Sequence, residues 1–224
     1  MAEDFTVLNK IIDSRYSCRG YLKKEVDDLD IKEIVAAASR VPTWCNAQPW
    51  QVIVTRPPAT RAFAEVLTQA ASTTEMVPDY DWPVQYVGKY QDRRRVCGYQ
   101  LYESLGIERE DRDRRGQQMM ENFRFFGAPH VAIITTDADL GSYGAMDSGG
   151  FIALFTLAAR AKGIASVVQA SVTGYAPAVR KHFEIPTNRL IQTAISFGYE
   201  DLEHPANGFR TERAPVNDVV TIIE

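Results

Sequence analysis

Two observations predict that this sequence folds as a single domain that mixes helices and strands, of the α/β or the α+β class. The 224 residues are 45% hydrophobic and 24% charged, which is ordinary for a globular protein and outside the disordered range. Amphipathic segments with helical spacing alternate with short β-branched runs along most of the chain. Because we find neither an internal repeat nor a low-complexity linker, residues 1–224 are expected to form one domain.

Charge and composition argue against several classes of partner. Lys and Arg total 25 against 29 Asp and Glu, a formal net charge of -4, which gives no electrostatic reason to expect a nucleic acid. No apolar run reaches the roughly 18 residues needed to span a bilayer, and the acidic start lacks the features of a signal peptide. We therefore expect a cytoplasmic protein without membrane contact. The three cysteines and three histidines have no metal-ligand spacing, so neither a disulfide framework nor a metal site is predicted.

The first part of the chain predicts two helices. The first dozen residues place apolar side chains at helical spacing and give way to the polar cluster Asp13–Arg19, which indicates an amphipathic helix that runs into a cationic loop. A second helix is predicted from Asp30, because Asp30 and Glu33 have capping-box spacing ahead of an apolar stripe. This helix is expected to end near Pro42.

The next stretch predicts a strand, a turn and a helix. Pro49–Thr55 is short and β-branched, as in a strand, and precedes a turn at Pro57–Pro58. Thr60–Ala71 then has a helical pattern.

From Ser72 to Glu121 the periodicity weakens. The alternating charges of Glu108–Arg115 are typical of a solvated helix face. The aromatic side chains of this stretch either pack locally or form the roof of a pocket for a flat ligand. They are Tyr80, Trp82, Tyr86, Tyr90, Tyr99 and Tyr102.

The second half gives the clearest pattern. Ala128–Thr135 reads as a buried strand, and Asp147–Lys162 as a helix that is apolar on nearly every side and must be surrounded by protein. The glycines just before this helix match no phosphate-binding loop. A strand, a helix and a strand follow at Ile164–Val168, Ala176–Phe183 and Leu190–Gly198.

The chain closes with a polar tail that ends in an apolar, β-branched run, Val219–Ile223. Such a run is too apolar to extend freely into water. It could add a strand to the sheet of its own subunit or to that of a partner.

Three polar clusters could carry chemistry. In Ser14–Arg19, two guanidiniums and several hydroxyls occupy a short loop, which suits bidentate recognition of a phosphate but is also compatible with an exposed basic turn. In Pro42–Trp50, carboxamides lie between prolines and tryptophans and suit a polar heterocycle, although a plain helix-to-strand turn is the alternative. Asn207–Pro215 is a second basic element that either meets the same anion or forms a solvated tail.

In this order along the chain, the clusters resemble the nitroreductase family of flavoproteins. Ser14–Arg19 looks like the family segment Arg-x-Ser-x-Arg/Lys, which holds the FMN phosphate and reaches the flavin ring. Pro42–Trp50 looks like Pro-Ser-x-x-Asn-x-Gln-Pro-Trp. It departs at Thr43 and Trp44, where serines are common, and Trp44 would narrow the space over the ring. The segment Arg210–Pro215 resembles the closing Arg-x-Pro, with Arg213 as the expected phosphate ligand.

Two further segments fit the same family. Asn122–Pro129 resembles the segment entering the central strand, from which Asn122 would meet the flavin pyrimidine. Gly163–Ser171 resembles the region that places a backbone amide near flavin N5, with Val168 where many members have proline. The resemblance thus implies cofactor contacts from Arg15, Tyr16, Ser17, Arg19, Pro42, Thr43, Trp44, Asn46, Gln48, Asn122, Val168, Gln169, Ala170, Arg210 and Arg213.

The resemblance implies an α+β fold of the nitroreductase type, with a central mixed sheet wrapped by helices, and an intimate homodimer with FMN at its interface. The Arg15 loop and Arg213 would hold the phosphate in one subunit, while Pro42–Gln48 would come from the other. Residues 72–121 would form a variable cover over the active site. Within that cover, Arg93–Arg95 is a hypothetical attractant for carboxylated or phosphorylated substrates.

The implied activity is ping-pong reduction, in which NADPH or NADH gives hydride to flavin N5 and a nitroaromatic or quinone-like oxidant then takes it. No side chain is nominated as a catalytic acid or base, because the cofactor carries the chemistry. Two alternatives share the motifs. One is a flavoenzyme of the same fold acting on enones, halogenated aromatics or free flavin, and the other is a non-catalytic dimer that has lost FMN.

Overall fold

The computed structural model describes residues 2–224, which form one antiparallel sheet surrounded by helices. The strands are β1 (Gln51–Val54), β2 (His130–Asp137), β3 (Ala165–Gln169) and β4 (Arg189–Gly198). The helices are α1 (Ala2–Ser14), α2 (Asp28–Ala38), α3 (Pro57–Thr73), α4 (Lys89–Ser104), α5 (Arg112–Met120), α6 (Gly141–Ala161) and α7 (Ala176–Phe183). The α+β expectation is confirmed.

The sheet has the strand order β1-β2-β4-β3, and its two faces carry separate apolar cores. Val131 and Ile133 of β2 face one core, which includes side chains of α3 and α7, while Ala132 and Ile134 face the other, under α2 and α6. Alternate residues of a strand point to opposite faces, so a central strand covered on both sides is apolar at nearly every position. This explains why β2 is so easily recognised in the sequence.

The direction of the strands differs from the mixed sheet that was expected. All three strand pairs in residues 2–224 are antiparallel. The parallel pairing in the described chain is the isolated bridge between Ser17 and Ser166, which attaches the N-terminal loop to the outer edge of β3. That bridge anchors the loop beside the sheet.

The capping box predicted at Asp30 and Glu33 is not formed in helix α2. The helix begins at Asp28, two residues before the predicted start, with Asp27 at its N-cap. Asp30 and Glu33 instead lie in its first turns, and the ammonium of Lys162 lies 2.6 Å from Asp30 Oδ1 and 2.5 Å from Glu33 Oε2. Asp30 and Glu33 therefore form ion pairs with Lys162, which a local sequence pattern cannot predict because this lysine is distant in the chain.

Two other helix starts were also predicted too late. Pro57–Pro58 occupies the first turn of α3 instead of a separate turn, as proline's fixed φ and missing N–H allow. Helix α6 begins at Gly141, six residues before Asp147, so the glycines thought to precede it lie within it. One of them, Gly150, has a packing role: a Cβ built there would lie 2.7 Å from Val41 Cγ2, so only glycine lets the two elements approach this closely.

The weakly patterned stretch contains helices α4 and α5 and an irregular connection before them. The charge run Glu108–Arg115 is only partly helical, since α5 begins at Arg112. The apolar tail Val219–Ile223 forms no strand, and Ile222 and Ile223 are 84% and 89% exposed. The first of the two options for this tail, a strand in its own sheet, is therefore wrong.

Candidate functional site

Four arginines converge on one cavity of about 470 Å³ between the N-terminal loop and the C-terminal tail. Arg15 and Arg19 come from the loop after α1, and Arg210 and Arg213 come from the tail. Ser17 adds a hydroxyl between the first two. The structure thus brings the first and third polar clusters together, although they lie almost 200 positions apart in the sequence.

The loop is held rigidly against the sheet. The backbone N–H of Cys18 donates to the carbonyl of Ser166 at 3.1 Å, next to the bridge between Ser17 and Ser166. Because β strands alternate, this attachment leaves Ser17 exposed while its neighbours Tyr16 and Cys18 are buried. The loop therefore presents alternate residues to the cavity.

Tyr16 forms the floor of the cavity. Its hydroxyl donates a 2.5 Å hydrogen bond to Glu200 Oε2, and the guanidinium carbon of Arg210 lies 3.5 Å from the centre of its ring. Arg160 also pairs with Glu200, at 2.9 Å. Burial opposes ionisation of Glu200, but the hydrogen bonds from Tyr16 and Arg160 and the charges of Arg160 and Arg210 outweigh it, so the pKa of Glu200 lies below its usual value. Sequence reasoning assigned Glu200 no role, because its partners are distant in the chain.

The tail is joined to the loop by Asn207. Its side chain accepts a hydrogen bond from the backbone N–H of Arg19 at 2.8 Å and donates to the carbonyl of Gly20 at 2.9 Å. Asn207 is 6% exposed, so these bonds are shielded from water. Asn207 was grouped with the basic tail, but its structural role is to fix the position at which the tail's arginines begin.

The electrostatics of the cavity favour an anion. Burial lowers the pKa of Arg15, and the nearby charge of Arg213 lowers it further. Burial also lowers the pKa of Arg19. None of the four arginines forms a salt bridge with any residue of 2–224. Asp13 also lines the cavity and Arg210 acts on Glu200, but neither carboxylate forms a salt bridge with Arg15 or Arg213. Like charges held together are destabilising, so an anion that enters the cavity relieves the repulsion between Arg15 and Arg213.

The second polar cluster lies elsewhere and is electrically neutral. Pro42, Trp44, Asn46 and Gln48 are exposed and line no part of the arginine cavity, while Thr43 is half-buried. Trp44–Asn46 forms a single 3-10 turn. The segment projects its carboxamides and the Trp44 ring outward from the protomer, with Trp44 62% exposed.

A hydrogen-bonded group at the end of β3 holds Asn122. The Oδ1 atom of Asn122 accepts from the Ser171 hydroxyl at 3.1 Å, and its backbone carbonyl accepts from Gln169 Nε2 at 2.8 Å. Gln169 is buried and Ser196 donates to its Oε1 atom, whereas Val168 and Ala170 on either side are exposed. Asn122 Nδ2 donates to Met119 and retains a second N–H. The buried side chain of Gln169 is thus placed to orient Asn122, while Val168 and Ala170 are the residues exposed at the end of β3.

Four of the aromatic side chains of residues 72–121 lie against cationic side chains of the same protomer: Tyr86, Tyr90, Tyr99 and Tyr102. Arg94 lies 5.3 Å from the ring centre of Tyr86, and Arg109 lies 5.0 Å from that of Tyr99. Helix α4 also reaches the arginine cavity, because Cys97 lines it. The helix therefore connects the aromatic stretch with the cationic cavity.

The described residues hold neither a cluster of metal ligands nor a membrane-spanning helix. Residues 2–224 contain no group of His, Cys, Asp and Glu placed to hold a metal ion. Among the helices α1 to α7, none is both long enough and apolar enough to cross a membrane.

Fold and site together define an α+β protein with a cationic ligand cavity beside the edge of its sheet. A family model described as "Nitroreductase family" matches residues 12–199, and the chain belongs to that family. The resemblance inferred from the polar clusters is thereby confirmed.

Individual relatives agree over almost the whole length. The chain is 33% identical to a 4-nitrobenzoate reductase from Nocardioides sp. (strain LMS-CY), over 95% of this chain and 88% of the relative. It superposes on the crystal structure of the FMN-dependent nitroreductase NfnB from Mycobacterium smegmatis in complex with NADPH with a TM-score of 0.92 and 32% identity, covering 96% of this chain and 97% of that one. An FMN and NADPH-dependent nitroreductase NfnB from Sphigopyxis sp. strain HMH gives a TM-score of 0.93 at 26% identity, covering 97% and 99% of the two chains.

Proposed function

We propose that this protein is an FMN-dependent NAD(P)H oxidoreductase that reduces nitroaromatic or quinone-like substrates. The observation that carries the proposal is the convergence of Arg15, Arg19, Arg210 and Arg213 on one cavity, where none of them forms a salt bridge with a residue of 2–224. Such a donor set fits a phosphate group, which accepts several charge-assisted hydrogen bonds at once. FMN, when bound, supplies hydride transfer between a nicotinamide donor and an oxidant.

The residues divide the binding of FMN between charge and shape. Arg15, Ser17 and Arg213 would bind the phosphate. Arg19 would extend from the phosphate end toward the ring, where Asn122 offers its remaining N–H to a carbonyl or ring nitrogen. Val168 and Ala170 would present the exposed end of β3 to the flavin. In this arrangement no side chain has to act as an acid or a base.

The neutral segment would complete the site from a second subunit. Pro42–Gln48 lines no part of the arginine cavity of its own protomer, yet carries carboxamides that suit a heterocycle. Exposed apolar side chains support a homodimer: on α1, Phe5 and Leu8 are 64% and 46% exposed. Apolar patches of this kind mark protein contacts more often than free surface. The tail Val219–Ile223, which joins no strand of its own subunit, would pack on the partner as well.

The names of the relatives indicate the first substrates to try. The similar proteins include a 4-nitrobenzoate reductase and nitroreductases described as FMN and NADPH-dependent. We therefore propose nitroaromatic acids as oxidants and NADPH as the first donor to test, with NADH as the comparison.

The test is the visible absorption spectrum of the purified protein, followed by addition of NADPH or NADH without oxygen. The proposal predicts flavin bands that bleach with the nicotinamide and return when 4-nitrobenzoate is added. Bands that bleach but return only with enones, halogenated aromatics or free flavin would support the related flavoenzyme. A protein without flavin bands, even after incubation with FMN, would contradict both and favour the non-catalytic dimer.

A further inference from the structure

We propose that Asp147 and Arg189 are positioning residues that hold the segment Thr43–Pro49 from its two ends in a strained backbone conformation. Neither residue was assigned a role by sequence reasoning. The proposal rests on the proposed function, because the segment would meet the flavin bound by the other subunit. We call Thr43–Pro49 the strained segment.

The strain is visible in the backbone. Cys45, Asn46 and Gln48 have φ values of 50°, 57° and 47°, in the left-handed region that L-residues with a side chain rarely adopt. Three such residues within four positions, none of them glycine, are a concentrated departure from relaxed geometry. A backbone of this kind persists only where its surroundings over-determine it.

The hydrogen bonds within the strained segment join near neighbours at exposed positions. The N–H of Asn46 donates to the carbonyl of Thr43 at 3.1 Å, and the N–H of Ala47 donates to that of Trp44 at 3.0 Å. The N–H of Gln48 donates to Thr43 Oγ1 at 3.3 Å, and Gln48 Nε2 donates to the carbonyl of Asn46 at 3.2 Å. Cys45, Asn46, Ala47 and Gln48 are exposed, so little apolar burial opposes opening. The segment therefore needs attachments outside itself.

The first attachment is to helix α6. The carboxylate of Asp147 accepts the backbone N–H of Trp44, at 3.1 Å to Oδ2 and 3.3 Å to Oδ1. The Trp44 ring lies over Tyr143, one turn earlier on the helix, with 4.9 Å between ring centroids. Gly150, one turn later, lets Val41, which lies just before the strained segment in the sequence, approach the helix closely. Three successive turns of one helix thus hold the start of the strained segment.

The second attachment is a buried guanidinium. Arg189 is 8% exposed, and its Nη2 atom donates to the carbonyl of Pro49 at 2.9 Å and to the carbonyl of Thr135 at 2.8 Å. Its Nε atom donates to Thr135 Oγ1 at 3.2 Å. Arg189 forms no salt bridge within residues 2–224. A buried charge whose direct partners are neutral oxygens is unusual, and here it ties the end of the strained segment to the sheet.

This attachment lies next to an irregularity in the sheet. The register of β2 against β4 shifts between Ile134 and Thr135, as in a β-bulge, and leaves Gln192 of β4 without a partner in β2. Arg189 begins β4 opposite Asp137 and donates to the carbonyl of Thr135, the residue at the shift. Bulges commonly redirect side chains next to functional sites.

The geometry assigns both residues to positioning rather than chemistry. Asp147 touches the strained segment through the N–H of Trp44, and Arg189 touches it through the carbonyl of Pro49. Each acts on the backbone at one end, and between them Cys45, Asn46 and Ala47 are exposed. A site that is formed before the ligand binds loses less conformational entropy on binding.

The experiment compares two truncations with two conservative changes. Asp147→Ala removes the acceptor for Trp44, whereas Asp147→Asn keeps one. Arg189→Met removes the donors at similar length, whereas Arg189→Lys keeps a single donor group. Glu65→Ala and Arg61→Met, at exposed positions of α3 outside the proposed cover, are the controls. Hydrogen exchange of residues 43–49 is measured in the apo protein, and FMN affinity is measured by titration.

We expect Asp147→Ala and Arg189→Met to speed exchange in residues 43–49 and to weaken FMN binding by about tenfold, the factor that accompanies ~1.4 kcal/mol. Asp147→Asn should restore most of the affinity and Arg189→Lys part of it, while the controls match the wild type. Arg189 is buried, so its Met variant can fail to fold. The surface change Asp147→Ala then decides the question alone.

Unchanged exchange in Asp147→Ala would overturn the proposal, and so would faster exchange with wild-type FMN affinity. The failure of the proposed function looks different. If Arg15→Ala weakens FMN binding while Asp147→Ala does not, only the positioning roles fall. If the wild type binds no FMN, the proposed function falls, and the exchange rates still test whether the two residues hold the strained segment.

Discussion

The arginine cavity and the strained segment are two parts of one candidate site, and they are built in opposite ways. The cavity gathers four like charges on a loop and a tail whose backbones are tied to β3 and to Asn207. The strained segment has no charged side chain, and its distinguishing feature is the left-handed backbone conformation of three residues. In the proposed site, the cavity would recognise charge and the strained segment would recognise shape. Changes in the two halves should therefore have different signatures.

The largest effect is expected from the cavity. Arg15→Ala should weaken FMN binding about tenfold or more, because a hydrogen bond to a charged group contributes roughly 1.5–3 kcal/mol. Arg15→Ala with Arg213→Ala should weaken it further. Raising the salt concentration should weaken wild-type binding as well, since screening acts on charge. Titration of the apo protein measures all three, with Arg112→Ala as the matched control. Wild-type affinity in the Arg15→Ala protein would show that the phosphate site is wrongly placed.

A smaller effect, and of another kind, is expected from the segment. Trp44→Ser removes a ring that is 62% exposed and rests on Tyr143. FMN affinity should fall less than in Asp147→Ala, because the hydrogen bond from the backbone N–H of residue 44 to Asp147 is kept. The KM for two-ring nitroaromatics should fall several-fold while that for nitrobenzene stays constant, since the ring would narrow the space over the flavin. Steady-state kinetics with both substrates measures this. An equal change for both substrates would argue against a role in substrate size.

A third prediction extends the charged half into the cover. Arg93, Arg94 and Arg95 are exposed on α4, the helix that reaches the cavity through Cys97. If they attract acids, their joint replacement by Ala should raise the KM for 4-nitrobenzoate a few-fold and leave that for nitrobenzene unchanged. The effect is small because exposed charges are screened within about 10 Å at ordinary salt. Equal effects on the two substrates would end this hypothesis.

The smallest effect concerns the acid stability of the cavity floor. The pKa of Glu200 is lowered, so its carboxylate contributes stability that is fully present above the usual value of 4.5 and is lost as the pH falls through the folded-state pKa. Glu200→Gln should lower the Tm at neutral pH, and the difference from the wild type should shrink on acidification. Thermal melts across this range measure it. A difference that stays constant with pH would mean that the ionised carboxylate is not what holds Tyr16.

The same comparison explains what the sequence could reveal. The four arginines lie in the two basic clusters that the sequence offers for an anion, but residue type left each cluster open as a solvated turn or tail, and the resemblance to the family assigned both to one phosphate. The strands and buried helices were predictable from periodicity, as β2 and α7 show. The direction of the strand pairs was not, because pairing depends on contacts between distant segments.

Contacts that join distant residues account for the rest. Asp30 and Glu33 have the spacing of a capping box, but their partner is Lys162, about 130 positions away, so the local pattern could not reveal their contacts. Glu200 and Arg189 had no local pattern, since each acts on a backbone or ring brought to it by folding. The left-handed φ values at Cys45 and Gln48 likewise leave no signal in residue type, whereas asparagine, as at Asn46, adopts this region more readily than most residues. A segment whose function is its shape is thus the hardest part to predict.

The central claim, that charge and shape are read by separate halves of one site, is tested most directly by comparing FMN with riboflavin, which lacks the phosphate. Titration of the wild-type apo protein should show much tighter binding of FMN. In Arg15→Ala with Arg213→Ala this preference should largely disappear, while in Asp147→Ala both ligands should weaken by the same factor. An FMN preference that survives the loss of both arginines would contradict the account.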